Sequence, residues 1–169
     1  MKFFQIHAET PQPRLVRQAV DVIRRGGVII YPADSSYALG CGVGEKGALD
    51  RIRQIRRLDD KHNFTLVCRD LPGPYTFILD ATREVPRMLM HPKRRTIGLR
   101  VPANPIAQAL LEELGEPMLS VSLIMPGETE PMSDPYEIRD LLEARVDLII
   151  DGGYGTYEAS TVVSLTGDQ

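Results

Sequence analysis

The stretch GGVIIYPADSSYALGCGVG, residues 26–44, constrains the fold more than any other part of the chain. A Gly-Gly break precedes the apolar run VIIY at 28–31, which stops at Pro32. A short β-branched and aromatic run after such a break predicts a strand. Pro32 has no amide proton, so the ladder should end there. Asp34, Ser35, Ser36 and Tyr37 come next, and a glycine-rich turn is expected after them. Small hydroxyls, a carboxylate and glycines thus gather at a strand's carboxyl end, where open α/β sheets bind ligands. Taken alone, the stretch reads first as a polar loop leaving a buried strand.

With 169 residues the chain is long enough for one domain with its own core, expected to span 1–169. No apolar run approaches the roughly 20 residues that cross a bilayer. MKFFQIHAET at the start carries a charge but no sustained apolar stretch, so no secretory signal is expected. Cys41 and Cys68 lie in apolar sequence. They read as small buried hydrophobes and not as a disulfide, which suits a cytoplasmic protein. The net charge of −3 is unevenly spread: residues 1–101 carry +8 and residues 102–169 carry −11. A basic part able to face an anion follows, unless folding intermixes the two halves.

Helices and strands alternate along the sequence. Val16, Ala19, Val20 and Ile23 fall on one helical face, with Pro11 and Pro13 before it and Gly26-Gly27 after it. Ala48, Ile52 and Ile55 share the face of a second, strongly basic helix. Strands are expected at 64–68, at 75–79 after the turn Pro72-Gly73-Pro74, and at 96–101, with a short helix over 85–90. Asn104 caps a helix that has Pro105 at its first position and Gly115 at its end. A strand at 118–124 follows. Asp134, Pro135 and Glu137 open a helix with Ile138, Leu141 and Leu142 inward. Strands at 146–150 and 161–165 close the chain. This order predicts a single α/β domain, a mixed parallel and antiparallel sheet flanked by helices. The join between 68 and Pro72 is short. It is either a tight connection or a place where a flexible segment, between Leu71 and Pro72, is missing from the sequence.

Several standard sites are absent. There is no GxxxxGK[ST] loop, no HExxH and no GxSxG. His7, His62 and His91 are scattered, which argues against a zinc site. Hydroxyls and cations near strand ends remain: Ser35 and Tyr37; Arg56, Arg57, Lys61, His62, Asn63 and Thr65; Arg100; Ser120 and Ser122; and Ser160. Guanidinium forks and small hydroxyls suit phosphate or carboxylate ligands. Each residue also has an ordinary structural reading, and only convergence on one sheet edge makes them a site.

The blocks GGVIIYPADSSYALG, KHNFTLVC, PGPYTFIL, IGLRVPANP, PMLSVS, VDLIIDGG and STVV, in that order, resemble the YrdC/YciO family almost end to end. That family includes the threonylcarbamoyl-AMP synthases of tRNA modification. HNFTL and LSVSLIMPG look most like its YciO branch. The resemblance implies a twisted mixed sheet with a broad basic concave face. It also implies binding of double-stranded RNA or tRNA, and of ATP with magnesium as substrate, without a tightly held cofactor. It matches Ser35 to a substrate-side threonine and Tyr37 to its aromatic neighbour. His62 and Asn63 match an HN pair, Arg100 the RVP arginine, Ser122 the serine of a SAN strand, and Ser160 the serine before TVV.

Three positions depart from the family's pattern. Of a KxR pair, Arg56 or Arg57 stands for the lysine, while the second cation falls on Leu58 or Asp59. The SAN asparagine becomes Ile124, and the first threonine of PTDT becomes Ala33. Losing one fixed donor where charge develops costs on the order of 3 kcal/mol in rate. The expectation is therefore a protein that binds nucleotide and RNA, with phosphate contacts from Arg51, Arg53, Arg56, Arg57, Lys93, Arg94 and Arg95. An active threonylcarbamoyl-AMP synthase is the alternative.

Overall fold

The computed structural model describes residues 1–58, 64–69, 75–80, 96–155 and 161–164. Among them one sheet holds nine strands in the order β1-β8-β2-β3-β7-β4-β6-β5-β9. The strands are β1 (Lys2–Gln5), β2 (Ile29–Pro32), β3 (Tyr37–Gly42), β4 (Thr65–Val67), β5 (Tyr75–Asp80), β6 (Thr96–Arg100), β7 (Met118–Ser122), β8 (Leu148–Asp151) and β9 (Thr161–Ser164). β8 runs parallel to β1 and β2, β4 to β6, and β5 to β9, while β2–β3, β3–β7, β7–β4 and β6–β5 are antiparallel. The expected mixed sheet is the fold.

The helices are α1 (Pro13–Arg24), α2 (Lys46–Arg56), α3 (Pro105–Leu114) and α4 (Pro135–Leu142). Strand periodicity sorts them into two layers. Val28 and Ile30 join the core under α2 and α4, with Leu49, Ile52 and Ile138. Ile29 and Tyr31 join the core under α1 and α3, with Val20, Ile23 and Leu110. β2 is buried on both faces, hence its unbroken apolar run.

Local signals act where they were read. The Asn104 side chain accepts from the Ile106 and Ala107 amides, and Gly115 closes α3 in the left-handed region at φ 72°. After α1, the amides of Gly26 and Gly27 bond back to the carbonyls of Ile23 and Val22, and Gly26 has φ 81°. This pairing is a Schellman stop, which favours glycine at the left-handed position.

Four expectations are corrected. The glycine-rich segment after Tyr37 is not a turn but the fully buried strand β3. A Cβ on Gly40 would stand 2.9 Å from Tyr31 Cε1, so the glycine makes room for a ring on the neighbouring strand. Leu141 is 55% exposed and not part of the inward face of α4. At the start of the chain, where no strand was expected, β1 pairs with β8. Cys41 is buried as expected, whereas Cys68 is only half-buried. The helix expected at 85–90 and the turn at Pro72 lie outside the described residues.

Candidate functional site

On the face that α1 and α3 cover, Ile29, Tyr31, Ala38, Leu148 and Ile150 join their core, with Met118 and Val67 at the far ends of β7 and β4. Beyond them the same face carries small side chains in register. Ala38 lies opposite Ser122, and Gly40 opposite Ser120. Thr65 lies opposite Ser120 and Gly98. A cavity of about 240 Å³ opens above this floor. Thr65, Arg100, Ser120 and Ser122 line it, together with Tyr31, Ala33, Ala38, Val67, Pro102 and Val121. Four of the residues selected from sequence therefore converge.

Tyr31 forms the deep wall. Its hydroxyl lies 2.7 Å from Ser120 Oγ, and Ser120 Oγ in turn donates to the Leu39 carbonyl at 3.2 Å. Burial raises the Tyr31 phenol pKa above its usual value, with the Ser120 bond working against that. The phenol stays neutral and acts as a donor, not as a base.

Arg100 is the cation of the cavity. Its side chain is 13% exposed, and Nη2 lies 3.4 Å from Asp34 Oδ2. The Nε of Arg100 is buried without a hydrogen-bond partner among the described residues. Asp34 is committed elsewhere: Oδ1 accepts from the Ala103 amide at 2.9 Å and the Asn104 amide at 2.7 Å. The carboxylate thus staples the segment after β2 to the segment leading into α3, near that helix's positive end. A guanidinium that has, among the described residues, one long contact and a buried N–H without a partner, beside Thr65, Ser120 and Ser122, suits an anionic group.

The other selected residues lie apart from this lining. Tyr37 is 1% exposed. Its hydroxyl donates to the Gly153 carbonyl at 2.6 Å and accepts from the Gly152 amide at 3.0 Å. Burial and the nearby Asp151 and Asp134 raise its pKa. It clasps the turn after β8. Ser35 sits at the same place, its carbonyl against Gly155. Arg56 reaches over the end of β7 and donates Nε to the Ile124 carbonyl at 3.0 Å, and partial burial lowers its pKa. Arg57 is exposed and ends α2 in the left-handed region. Arg51 pairs with Asp147 at 2.6 Å and donates to the Arg145 carbonyl. Arg53 lies 5.6 Å from the Phe64 ring centroid and 3.4 Å from Asp50. Lys61, His62, Asn63, Lys93, Arg94, Arg95 and Ser160 lie outside the described residues.

Sequence reading left out Tyr31 and Asp34 as site residues, although both stood in the opening motif. Period-two alternation carried the signal for Tyr31, because Ile29 and Tyr31 share a face with Ala38 and Ser120. Asp34 gave no local sign, since its partners lie about seventy positions on. Among the described residues no group of histidine, cysteine or carboxylate side chains could hold a metal ion. No helix among them is long and apolar enough to cross a membrane.

The geometry has relatives. The Sua5/YciO/YrdC family model, described as telomere recombination, matches residues 21–71 and 69–169. The two matched segments meet at the short join before Pro72. The uncharacterized protein YciO of Escherichia coli K12 is 55% identical over 188 residues, covering 99% of this chain and 91% of that protein. The crystal structure of E. coli YciO superposes with a TM-score of 0.93, covering 99% of this chain and 92% of that one. A threonylcarbamoyl-AMP synthase of Nitrosococcus oceani is 31% identical over 159 residues, covering 81% of this chain and 85% of that protein. P. abyssi Sua5, solved in complex with L-threonine, shares the fold with a TM-score of 0.87 at 22% identity. That match covers 98% of this chain and 54% of the Sua5 chain. This chain belongs to the Sua5/YciO/YrdC family, related to the threonylcarbamoyl-AMP synthases of tRNA modification.

Proposed function

We propose that the protein binds a nucleotide and double-stranded RNA or tRNA through the basic hollow around Arg100, in the service of tRNA modification or translation in the cytoplasm. The observation that carries this reading is Arg100: a mostly buried guanidinium whose Nε has no partner among the described residues, set beside Thr65, Ser120 and Ser122. An anionic group entering the cavity meets the Arg100 guanidinium and the hydroxyls of Thr65 and Ser122. Arg56 and Arg57 extend positive charge at the end of α2. Arg51 and Arg53 face Asp147 and Asp50, so they add little free charge. ATP enters with magnesium as a substrate complex, not as a resident cofactor.

Phosphate contacts to duplex RNA release counterions, so affinity must fall steeply as salt is raised. Recognition is by shape, because side chains do not reach into the deep groove of A-form RNA. A thermal-shift series on the intact protein, varying ATP, threonine and bicarbonate, tests the nucleotide half. A ligand at about 100 times its dissociation constant adds roughly 2.7 kcal/mol of stability. No shift with ATP, together with salt-independent RNA binding, overturns the reading.

The second reading is an active threonylcarbamoyl-AMP synthase. It is favoured by the relatives that carry that name and by the L-threonine bound to P. abyssi Sua5. Against it stand Ala33 at the cavity wall and Ile124, which offers Arg56 only its main-chain carbonyl. Pyrophosphate release that needs ATP, threonine and bicarbonate together establishes it.

A further inference from the structure

A second hollow lies at the amino ends of three strands. β1, β8 and β2 are neighbours and run parallel, with Lys2 and Ile29 both in register with Leu148. The hollow measures about 390 Å³, within the roughly 300–1,000 Å³ usual for ligand pockets. Lys2, Arg25, Gly26, Gly27, Arg51 and Asp147 are among its lining residues, and none of them lines the cavity around Arg100.

Its charges do not balance. Lys2, Arg25 and Arg51 stand against Asp147. Asp147 is already committed: Oδ2 accepts from Arg51 Nη1 at 2.6 Å and from the Val28 amide at 2.8 Å. Partial burial works against its ionisation, but the bonds from Arg51 and Val28 outweigh that and lower its pKa. Arg51 is held as well, with Nη2 donating to the Arg145 carbonyl at 3.0 Å. This pair cancels and leaves Lys2 and Arg25. Both are exposed, and neither joins an ion pair among the described residues. A second carboxylate, Glu45, stands behind Gly26, where a Cβ would fall 2.9 Å from its Oε2. With Glu45 counted, positive charge is still in surplus.

Both cations stand on fixed backbone. The Lys2 amide donates to the Asp147 carbonyl at 3.0 Å, and the Arg25 amide closes α1 on the Asp21 carbonyl at 3.1 Å. Part of the wall is bare main chain. A Cβ on Gly27 would fall 2.6 Å from Val22 Cγ1 and 3.3 Å from Asp147 Oδ2, so glycine keeps the hollow open beside the carboxylate.

We propose that this hollow is a second anion site, which takes the phosphoryl groups of an oligophosphate through Lys2 and Arg25. The proposal does not depend on the nucleotide reading of the first cavity. A concave surface with surplus cations concentrates anions. Lys2 comes from a strand and Arg25 from a helix end, so engaging both calls for charge spread along the ligand. A chain of phosphates has that spread, and a single carboxylate does not.

Pyrophosphate is the probe, titrated calorimetrically without magnesium at fixed ionic strength. The background is Arg100→Gln, in which the first cavity has lost its cation. Arg100→Gln should still bind one pyrophosphate per chain. Adding Lys2→Gln and Arg25→Gln should weaken that binding about tenfold or more, whereas Lys2→Arg with Arg25→Lys should retain it. All of these proteins should melt with Arg100→Gln, because both side chains are exposed. Duplex RNA added to the pyrophosphate-loaded protein separates two sources of the same phosphoryl chemistry: retention marks a free oligophosphate, and displacement marks the RNA backbone. If Arg100→Gln binds no pyrophosphate, or binds it equally well with Lys2 and Arg25 replaced, the second site is wrong and the reading of the first cavity is untouched. If Arg100→Gln binds pyrophosphate as the wild type does and replacing Lys2 and Arg25 abolishes it, the second site stands and the first reading falls.

Discussion

Tyr31 and Ser120 meet at 2.7 Å beneath the cavity, and the Leu39 carbonyl 3.2 Å from Ser120 Oγ offers the serine an acceptor of its own. With the Ser120 proton on the Leu39 carbonyl, Tyr31 is the donor between them. The two single substitutions therefore differ in cost. Tyr31→Phe removes a donor and leaves Ser120 bonded, at about 1 kcal/mol. Ser120→Ala strands a buried phenol O–H, at about 1–3 kcal/mol. The double variant should be less destabilised than the sum of the two. Urea unfolding checks all three, and a larger loss for Tyr31→Phe than for Ser120→Ala contradicts the assigned direction.

Arg57 should be a strained residue. It ends α2 at φ 52°, with the Leu58 amide on the Arg53 carbonyl and its own amide on that of Gln54. This is a left-handed helix stop made without glycine, which costs on the order of 1 kcal/mol. Arg57→Gly should raise stability by about that amount while lowering RNA affinity, since a solvent-facing cation is lost. Unfolding midpoints and an RNA titration on the same variant read both signs. A destabilised Arg57→Gly protein would remove the strain argument.

What the sequence made legible was whatever local chemistry encodes. Asn104 and Gly115 mark their helix because capping acts within a few residues. Val28 to Tyr31 mark β2 because a strand buried on both faces needs a continuous apolar run. Ser120 and Ser122 could be placed on one face by alternation alone. What stayed hidden depends on partners far along the chain. Gly40 reads as a turn residue until the Tyr31 ring lies over it. Tyr37 reads as a ligand contact until Gly152 and Gly153 arrive at its hydroxyl. Arg51 reads as a phosphate contact until Asp147 neutralises it. Each misreading comes from a pairing that only the sheet order creates.

High pH should unfold the protein in stages. Burial, with a smaller contribution from Glu45, pushes the Cys41 thiol up to about 12, against 9.0 for a free thiol. Burial likewise raises Tyr31 and Tyr37 above 10.0. Unfolded, these groups ionise near their free values, while the folded protein keeps their protons. Stability is therefore complete below pH 9 and falls as pH rises, by about 1.4 kcal/mol per unit for each group that has begun to titrate. The thiol acts first and the phenols above pH 10. Cys41→Ala should flatten the loss between pH 9 and 10 whatever its packing cost. Urea midpoints across pH 8–11 test this, and an unchanged slope in Cys41→Ala refutes it.

Arg100 and Asp34 should act on anion binding with opposite signs. Arg100→Gln removes the cavity's cation and should weaken tripolyphosphate and ATP at least tenfold, the loss expected for a charge-assisted contact. Arg100→Lys keeps the charge without the planar fork, so it should recover only part of the affinity. Neither change should unfold the protein, because Asp34 keeps the Ala103 and Asn104 amides. Asp34→Asn retains an oxygen for those amides and removes a negative charge 3.4 Å from the guanidinium. A carboxylate so placed repels an incoming anion and occupies its partner, so Asp34→Asn should tighten anion binding several-fold. Calorimetric titration of tripolyphosphate into the four proteins reads both signs. Weaker binding by Asp34→Asn would mean that the carboxylate serves the site by aiming Arg100 and not by competing for it.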